Sequence, residues 1–265
     1  YLAYAAALEQ KDHAVSQAFV VPIGGGAAVN LTPAKFCGHV RWVEWKDEST
    51  LLYGAAEATN NTISSVSVLG GERKIDLTSA TSGLVFDQPT FARSVRTAAF
   101  VGNTVSYPGD LFVWNDGQQP ERLTKVNAAF ADRQLGKQEV IKYKSRDGVE
   151  IEGILIYPVN YQKGTTYPLV TLVHGGPEAN YANGWMTGYS EPGQVLSGRG
   201  YAVFYPNYRS STGYGVQFAA VGYGDPAGKE FDDIADGIQF LIKQGIADKN
   251  RVGLGGGSYG GYASA

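Results

Sequence analysis

Between Tyr1 and about Ala128 the chain runs in short aliphatic and aromatic stretches broken by Gly, Asn and Asp. Helical periodicity is scarce there, so the pattern predicts β-strands joined by tight turns. It also repeats. Leu31-Thr32, Leu77-Thr78 and Leu123-Thr124 recur every 46 residues. A glycine lies six residues before each leucine, at Gly25, Gly71 and Gly117. Each glycine follows a strand-like run: Phe19 to Val21, Val66 to Leu69 and Leu111 to Trp114. The same hairpin is thus written three times, as strand, glycine turn, and strand ending in Leu-Thr. Trp45 and Phe91 share the spacing, each ahead of a further strand (Thr50 to Tyr53, Thr97 to Val101). A period in the forties with four short strands per unit is the mark of β-propeller blades, which bury their faces on one another. About two and a half to three such units cannot close a ring. The reading is therefore a partial β-propeller, its C-terminal blades, over residues 1–128, with further blades expected before Tyr1. An open β-sandwich with coincidental spacing is the rival.

After a linker from Val126 to Gln138 the pattern changes. Val140 to Tyr143 and Ile151 to Tyr157 flank Arg146-Asp147-Gly148, a hairpin signal. Tyr167 to Val173 is a nearly continuous apolar strand, and Leu196 to Gly200 leads into another, Tyr201 to Tyr205. Phe231, Ile234, Ile238 and Leu241 recur at helical spacing, with Gly245 as a stop. Val252 to Leu254 is a last short apolar run that suits a buried strand. Continuous apolar strands separated by helices predict a parallel sheet covered on both faces. Counted in order, these are the first five strands of an α/β-hydrolase domain over residues 129–265.

A glycine-rich turn follows the last of these strands. Gly256, Ser258 and Gly260 form G-x-S-x-G. In a chain with 35 glycines about 0.3 such patterns arise by chance, so context has to carry the reading. The context is that of a nucleophile elbow: a strand precedes the motif, and a helical pattern precedes the strand. Such a turn holds the serine in a strained conformation with its Oγ exposed at the top of the sheet. Side chains two residues before and after the serine would collide, and glycine avoids this. Ser258 is the expected nucleophile, with Gly256 and Gly260 as the elbow glycines. In this fold the acid and histidine of the triad follow the serine. None follows here, so the chain is expected to be part of a longer protein.

An oxyanion needs two backbone N–H donors. One belongs to the residue after the nucleophile, here Tyr259. The other comes from the loop after the third strand, where His174-Gly-Gly-Pro177 stands. Gly176 is the expected donor and Gly175 the next choice, because glycine lets the backbone approach the substrate oxygen closely. His174 is expected to shape this loop and not to act as the base. His13 and His39 are expected to be surface or structural residues.

Composition narrows the field. The 265 residues are 43% hydrophobic and 18% charged, which suits a folded core. The net charge is −3 and no basic run stands out, which argues against a nucleic-acid partner. No apolar stretch is long enough for a membrane span. The chain opens on Tyr1 inside an apolar segment, compatible with a cytoplasmic or an exported protein alike. The single cysteine, Cys37, has no disulfide partner and is expected to be buried as a small apolar residue. No Cys/His spacing suggests a metal site.

HGGP (174–177), the run from Pro206 to Gly215 (PNYRSSTGYG) and GGSYGG (256–261) together resemble the prolyl oligopeptidase family of serine peptidases. The acylaminoacyl-peptidase and dipeptidyl-peptidase-like branch fits best. That branch commonly has NYRGSTGYG; here Ser210 replaces the first glycine of that run and Arg209 is kept. Residues 222–233 (GYGDPAGKEFDD) also resemble the family segment leading into the helix before the nucleophile strand. The resemblance covers about 130 residues strongly and implies a propeller capping an α/β-hydrolase domain, with the site between them. It implies short peptides as substrates, attack by Ser258, a downstream His and Asp, and oxyanion donors on Tyr259 and Gly176. It implies no metal or organic cofactor, and it leaves homo-oligomerisation open. Two other readings stand beside the peptidase: a carboxylic ester hydrolase with the same serine chemistry, and a catalytically inactive, propeller-containing interaction module.

Overall fold

The computed structural model describes residues 1–11, 15–92 and 96–265. His13 lies outside them. The N-terminal part holds three antiparallel sheets. The first joins β1 (Leu2–Ala7), β2 (Ser16–Val21) and β3 (Val29–Asn30). The second joins β4 (His39–Trp45), β5 (Thr50–Glu57), β6 (Asn60–Ser67) and β7 (Lys74–Thr78) and leads into a one-turn helix α1 (Ser79–Ser82). The third contains β8 (Val85–Phe86), β9 (Thr90–Ala92), β10 (Thr97–Thr104), β11 (Tyr107–Asn115) and β12 (Glu121–Arg122).

The thrice-written hairpin is present each time, as β2–β3, β6–β7 and β11–β12. Its glycines, Gly25, Gly71 and Gly117, take φ of 91°, 120° and 78°. Leu31 and Leu77 are buried where the sheets stack, but Leu123 of the third hairpin is 54% exposed. The second sheet is covered on both sides. Leu51, Tyr53 and Ala55 of β5 pack with Ala18, Val20 and Leu31. Leu52 and Ile63 pack with Phe86, Phe100, Phe112 and Trp114. The period-two alternation of a strand puts these sets on opposite faces.

The C-terminal part is one mixed sheet of β13 (Gln138–Lys144), β14 (Glu150–Ile156), β15 (Tyr167–Val173), β16 (Ala202–Asn207) and β17 (Ala247–Gly256), in the order β13-β14-β16-β15-β17. Helices α2 (Gly193–Gly198), α3 (Val216–Ala219), α4 (Lys229–Lys243) and α5 (Tyr259–Tyr262) complete it. Helix α4 buries Ile234 and Leu241 and ends at Lys243, two residues before Gly245, which takes a φ of 71°.

Three expectations need correction. The sheet is not wholly parallel: the tight turn at Gly148 makes β14 antiparallel to β13, and β14 also runs antiparallel to β16. Val252 and Leu254 are not buried. Each is 38% exposed, as β17 pairs with β15 alone among the described strands. Cys37 is exposed rather than buried, in the loop between β3 and β4. His39 is half-buried in β4, where its Nδ1 accepts from the Ser16 N–H at 3.1 Å.

Among the described residues the two parts touch at Asn103 of β10, whose Oδ1 accepts from the Trp185 N–H (2.8 Å), and at the β5–β6 hairpin tip. The Ala58 N–H donates to the Gly213 carbonyl (2.8 Å), and the Asn183 N–H donates to that of Thr59 (2.9 Å). Asn180 Nδ2 donates to the Ala58 carbonyl (3.0 Å), while Arg41 Nη2 donates to Asn180 Oδ1 (2.8 Å). The tip of β5–β6 therefore rests on the chain that continues from HGGP.

Candidate active site

Strand β17 stops at Gly256 and helix α5 starts at Tyr259, so Ser258 occupies the turn between them. It has φ 55° and ψ −121°, a conformation that L-residues adopt only when their surroundings enforce it. The enforcement is visible. A Cβ on Gly256 would come within 2.3 Å of the Val173 carbonyl oxygen, and one on Gly260 within 2.0 Å of the same atom. The elbow is thus pressed against the end of β15, and the two glycines are what let it fit. Beyond the serine, the Gly260 N–H donates to the Gly257 carbonyl (2.9 Å) and the Tyr262 N–H to that of Ser258 (3.0 Å). The Tyr259 N–H is the first of α5, one of the donors that a helix leaves without an intrahelical partner. Ser258 itself is exposed.

The HGGP loop reaches the serine. A Cβ on Gly175 would lie 3.1 Å from Ser258 Cβ and 3.7 Å from its Oγ. Gly176 takes a φ of 125°, and a Cβ there would lie 2.3 Å from the Glu178 nitrogen, so both conformation and space select glycine. The structure therefore brings Ser258, Gly256, Gly260, Tyr259 and Gly175 together, with Gly176 next in the loop.

His174 is buried under that loop. Its Nδ1 donates to the Gly175 carbonyl at 2.9 Å, since a carbonyl can only accept. Its Nε2 lies 2.9 Å from Ser211 Oγ. The ring stacks on Tyr208, with centroids 4.4 Å apart, and the Tyr208 hydroxyl donates to the His174 carbonyl at 2.7 Å. Burial pushes its pKa down to about 4, so the ring is neutral at neutral pH. With both nitrogens engaged, His174 shapes the loop.

The scaffold beneath comes from the PNYRSS run, whose individual roles sequence reasoning did not assign. Asn207 Oδ1 accepts from the Tyr181 N–H (2.7 Å) and its Nδ2 donates to the Tyr181 carbonyl (3.0 Å). Arg209 is buried and forks onto Asp233 of α4, with Nε–Oδ2 at 2.8 Å and Nη2–Oδ1 at 2.6 Å. It also reaches Asp147 in the β13–β14 turn. These bonds hold its pKa well above the usual range and tie the run to helix α4 and to that turn. Ser210 takes a φ of 82° and accepts the Gly222 N–H on its Oγ at 2.9 Å.

A cavity of about 350 Å³ opens beside the elbow, between Pro177, Glu178, Tyr223, Pro226 and Tyr259. Glu230 of α4, fully buried, accepts from the Tyr259 hydroxyl at 2.6 Å. Among the described residues no group of His, Cys, Asp and Glu could hold a metal ion. Among the described residues no helix is long and apolar enough to cross a membrane.

Residues 188–265 match the prolyl oligopeptidase family. The dipeptidyl aminopeptidase BIII of Pseudoxanthomonas mexicana is 50% identical over 151 residues, covering 54% of this chain and 21% of that protein. The uncharacterized peptidase YuxL of Bacillus subtilis is 38% identical over 157 residues, covering 58% and 23%. This chain thus spans less than a quarter of the length of either relative. The acylaminoacyl peptidase of Pyrococcus horikoshii superposes with a TM-score of 0.79 over 97% of this chain and 39% of its own, at 22% identity, a likeness of fold. The matched segment, residues 188–265, and these relatives thus liken the chain to the prolyl oligopeptidase family.

Proposed function

We propose that this sequence carries the nucleophile and oxyanion half of a serine peptidase that hydrolyses short peptides. The observation that carries the reading is Ser258 at φ 55°, held by two glycines against the Val173 carbonyl, with Gly175 beside its Oγ. Ser258 Oγ attacks the scissile carbonyl carbon. Its proton passes to a histidine, which an aspartate orients. Both are proposed to lie in sequence following Ser258, which the longer relatives leave room for. The N–H groups of Tyr259 and Gly176, with Gly175 next to them, receive the oxyanion. Removing one such donor typically costs about 10²–10³ in rate. The imidazolium then gives its proton to the leaving amine, and water repeats the attack on the acyl-enzyme.

In the same proposal residues 1–128 are propeller blades and residues 129–265 the first five strands of an α/β-hydrolase domain. The three stacked sheets with a repeated hairpin support the first part, and the strand–elbow–helix order supports the second. Docking of the Ala58-Thr59 tip beside the HGGP loop would set the sheets over the mouth of the site, which favours short peptides over folded proteins. The acidic balance favours neither nucleic acid nor a membrane surface as a partner, and self-association stays open.

The test is turnover of peptidyl substrates by the full-length protein. Ser258→Ala is expected to lower kcat by about 10⁴-fold or more with the fold retained. Unchanged turnover would remove Ser258 from the reaction, and a strong preference for simple acyl esters would favour an ester hydrolase.

A further inference from the structure

Among the described residues Glu230 is the one fully buried carboxylate hydrogen-bonded to the elbow, and the chemistry above does not use it. Its Oε1 accepts from the Tyr259 hydroxyl (2.6 Å) and from the Ala227 N–H (2.7 Å). Its Oε2 is buried without a partner. A carboxylate withdrawn from water with half its acceptors idle is a poor stabilising device, because desolvation outweighs what one engaged oxygen returns. The helix dipole and the Ala227 bond favour an acid in this first turn, but they give no reason for the bond to Tyr259.

The partner it has chosen supplies one. Tyr259 is the residue directly after Ser258, and its N–H opens helix α5. That helix is four residues long and has no side-chain cap. A left-handed serine costs about 1–3 kcal/mol and persists only where neighbours over-determine it. On one side the elbow is fixed by the Val173 carbonyl. On the other, the elbow meets the fifteen-residue helix α4. It meets the elbow through Glu230 and through Phe231, whose ring centroid lies 5.9 Å from that of Tyr259. The hydrogen bond to Glu230 is the directional part of this contact.

We propose that Glu230 is a positioning residue: through the Tyr259 hydroxyl it anchors the elbow to α4 and keeps Ser258 Oγ and the Tyr259 N–H aligned for the oxyanion. This rests on the serine-peptidase reading above. The anchor acts on the transition state, so it is expected to change kcat and not substrate affinity. Tyr259 also lines the cavity beside the elbow. A role confined to that wall would instead change KM.

The experiment compares E230A, E230Q, Y259F and E230A/Y259F in the full-length protein, with kcat, KM and the Ki of a peptide boronate that forms a tetrahedral adduct on Ser258. E230A and Y259F should each lower kcat by about 10- to 100-fold, raise the boronate Ki in parallel, and leave KM within about threefold. The double variant should be no worse than the poorer single one, since both break the same bond. E230Q keeps an acceptor at Oε1 and should restore most of kcat. Thermal midpoints show whether each variant folds. Full kcat and boronate affinity in E230A and Y259F would overturn the anchor, as would additive losses or a change confined to KM. Wild-type protein that turns over no peptide and binds no boronate would fail the peptidase reading first, and the anchor with it.

Discussion

At the hairpin turns of the N-terminal sheets, Gly25, Gly71 and Gly117 sit at φ of 91°, 120° and 78°, and a Cβ on any of them would meet nothing within 4 Å. At the elbow the situation is inverted. Gly256 and Gly260 take no such φ, yet a Cβ would stand 2.3 and 2.0 Å from the Val173 carbonyl oxygen. The left-handed residue of the elbow is the serine itself. The hairpins use glycine for its backbone freedom, and the elbow uses it for its lack of volume. In the elbow, the strained conformation is left to the residue proposed as the nucleophile. The two kinds of site should therefore respond differently to the same added methyl group.

Gly260→Ala is the severest way to break this contrast. The atom it meets is backbone of β15, flanked by β16 and β17, and cannot step aside. The elbow must shift, with a stability loss of about 1–3 kcal/mol and a fall in kcat/KM of about 100-fold or more. Gly256→Ala should go the same way. Urea midpoints and peptide turnover measured together check it. Native stability with native turnover would mean that volume is not what selects glycine there.

His174 offers a reversible version, because it follows the carbonyl against which both elbow glycines lie. Its pKa is about 4 in the folded protein against an ordinary 6.5. Between those values the unfolded chain takes up a proton that the folded one refuses. Its contribution is thus complete above pH 6.5 and is lost as pH falls towards 4, up to about 3 kcal/mol in all. The slope of unfolding free energy against pH in that window should flatten in His174→Gln. Amide protection factors, corrected for the intrinsic pH dependence of exchange, should fall at residues 256–260 on acidification and stay unchanged in the β6–β7 hairpin. An equal response in both regions would dissolve the distinction.

Features with a short period were legible in the sequence. The hairpins announced themselves through Gly25, Gly71 and Gly117, and the elbow through three residues in five. What stayed hidden depends on where distant segments meet. Ser211 contacts His174 across 37 residues, and no spacing links them. Glu230 looks like an ordinary acidic residue in the first turn of a helix, a place acids favour for the helix dipole. Only the approach of Tyr259, 29 residues on, makes it more than that. Cys37 and Val252 misled in the opposite sense. Both are residue types that are usually buried, but one lies in a surface loop and the other on a strand with a single described neighbour, and neither position can be read from local composition.

Milder substitutions probe the hairpin side. Gly117→Ala forces a Cβ into a left-handed turn with open space around it, so the loss should be about 1 kcal/mol of stability with no change in turnover. Ser210→Gly, the smallest change, asks whether the two uses of glycine can be interchanged. Ser210 has the φ of a hairpin glycine, 82°, but is 1% exposed and holds the Gly222 N–H through its Oγ. Glycine relieves about 1–2 kcal/mol of left-handed strain. It gives up a hydrogen bond of about 1 kcal/mol and adds about 0.5–1 kcal/mol of unfolded-state entropy. The terms nearly cancel, and the urea midpoint should move by less than about 1 kcal/mol in either direction. A larger gain would mean that strain dominates and that this run prefers glycine for conformation, as the hairpins do. A larger loss would mean that the Ser210–Gly222 bond is what holds the run in place.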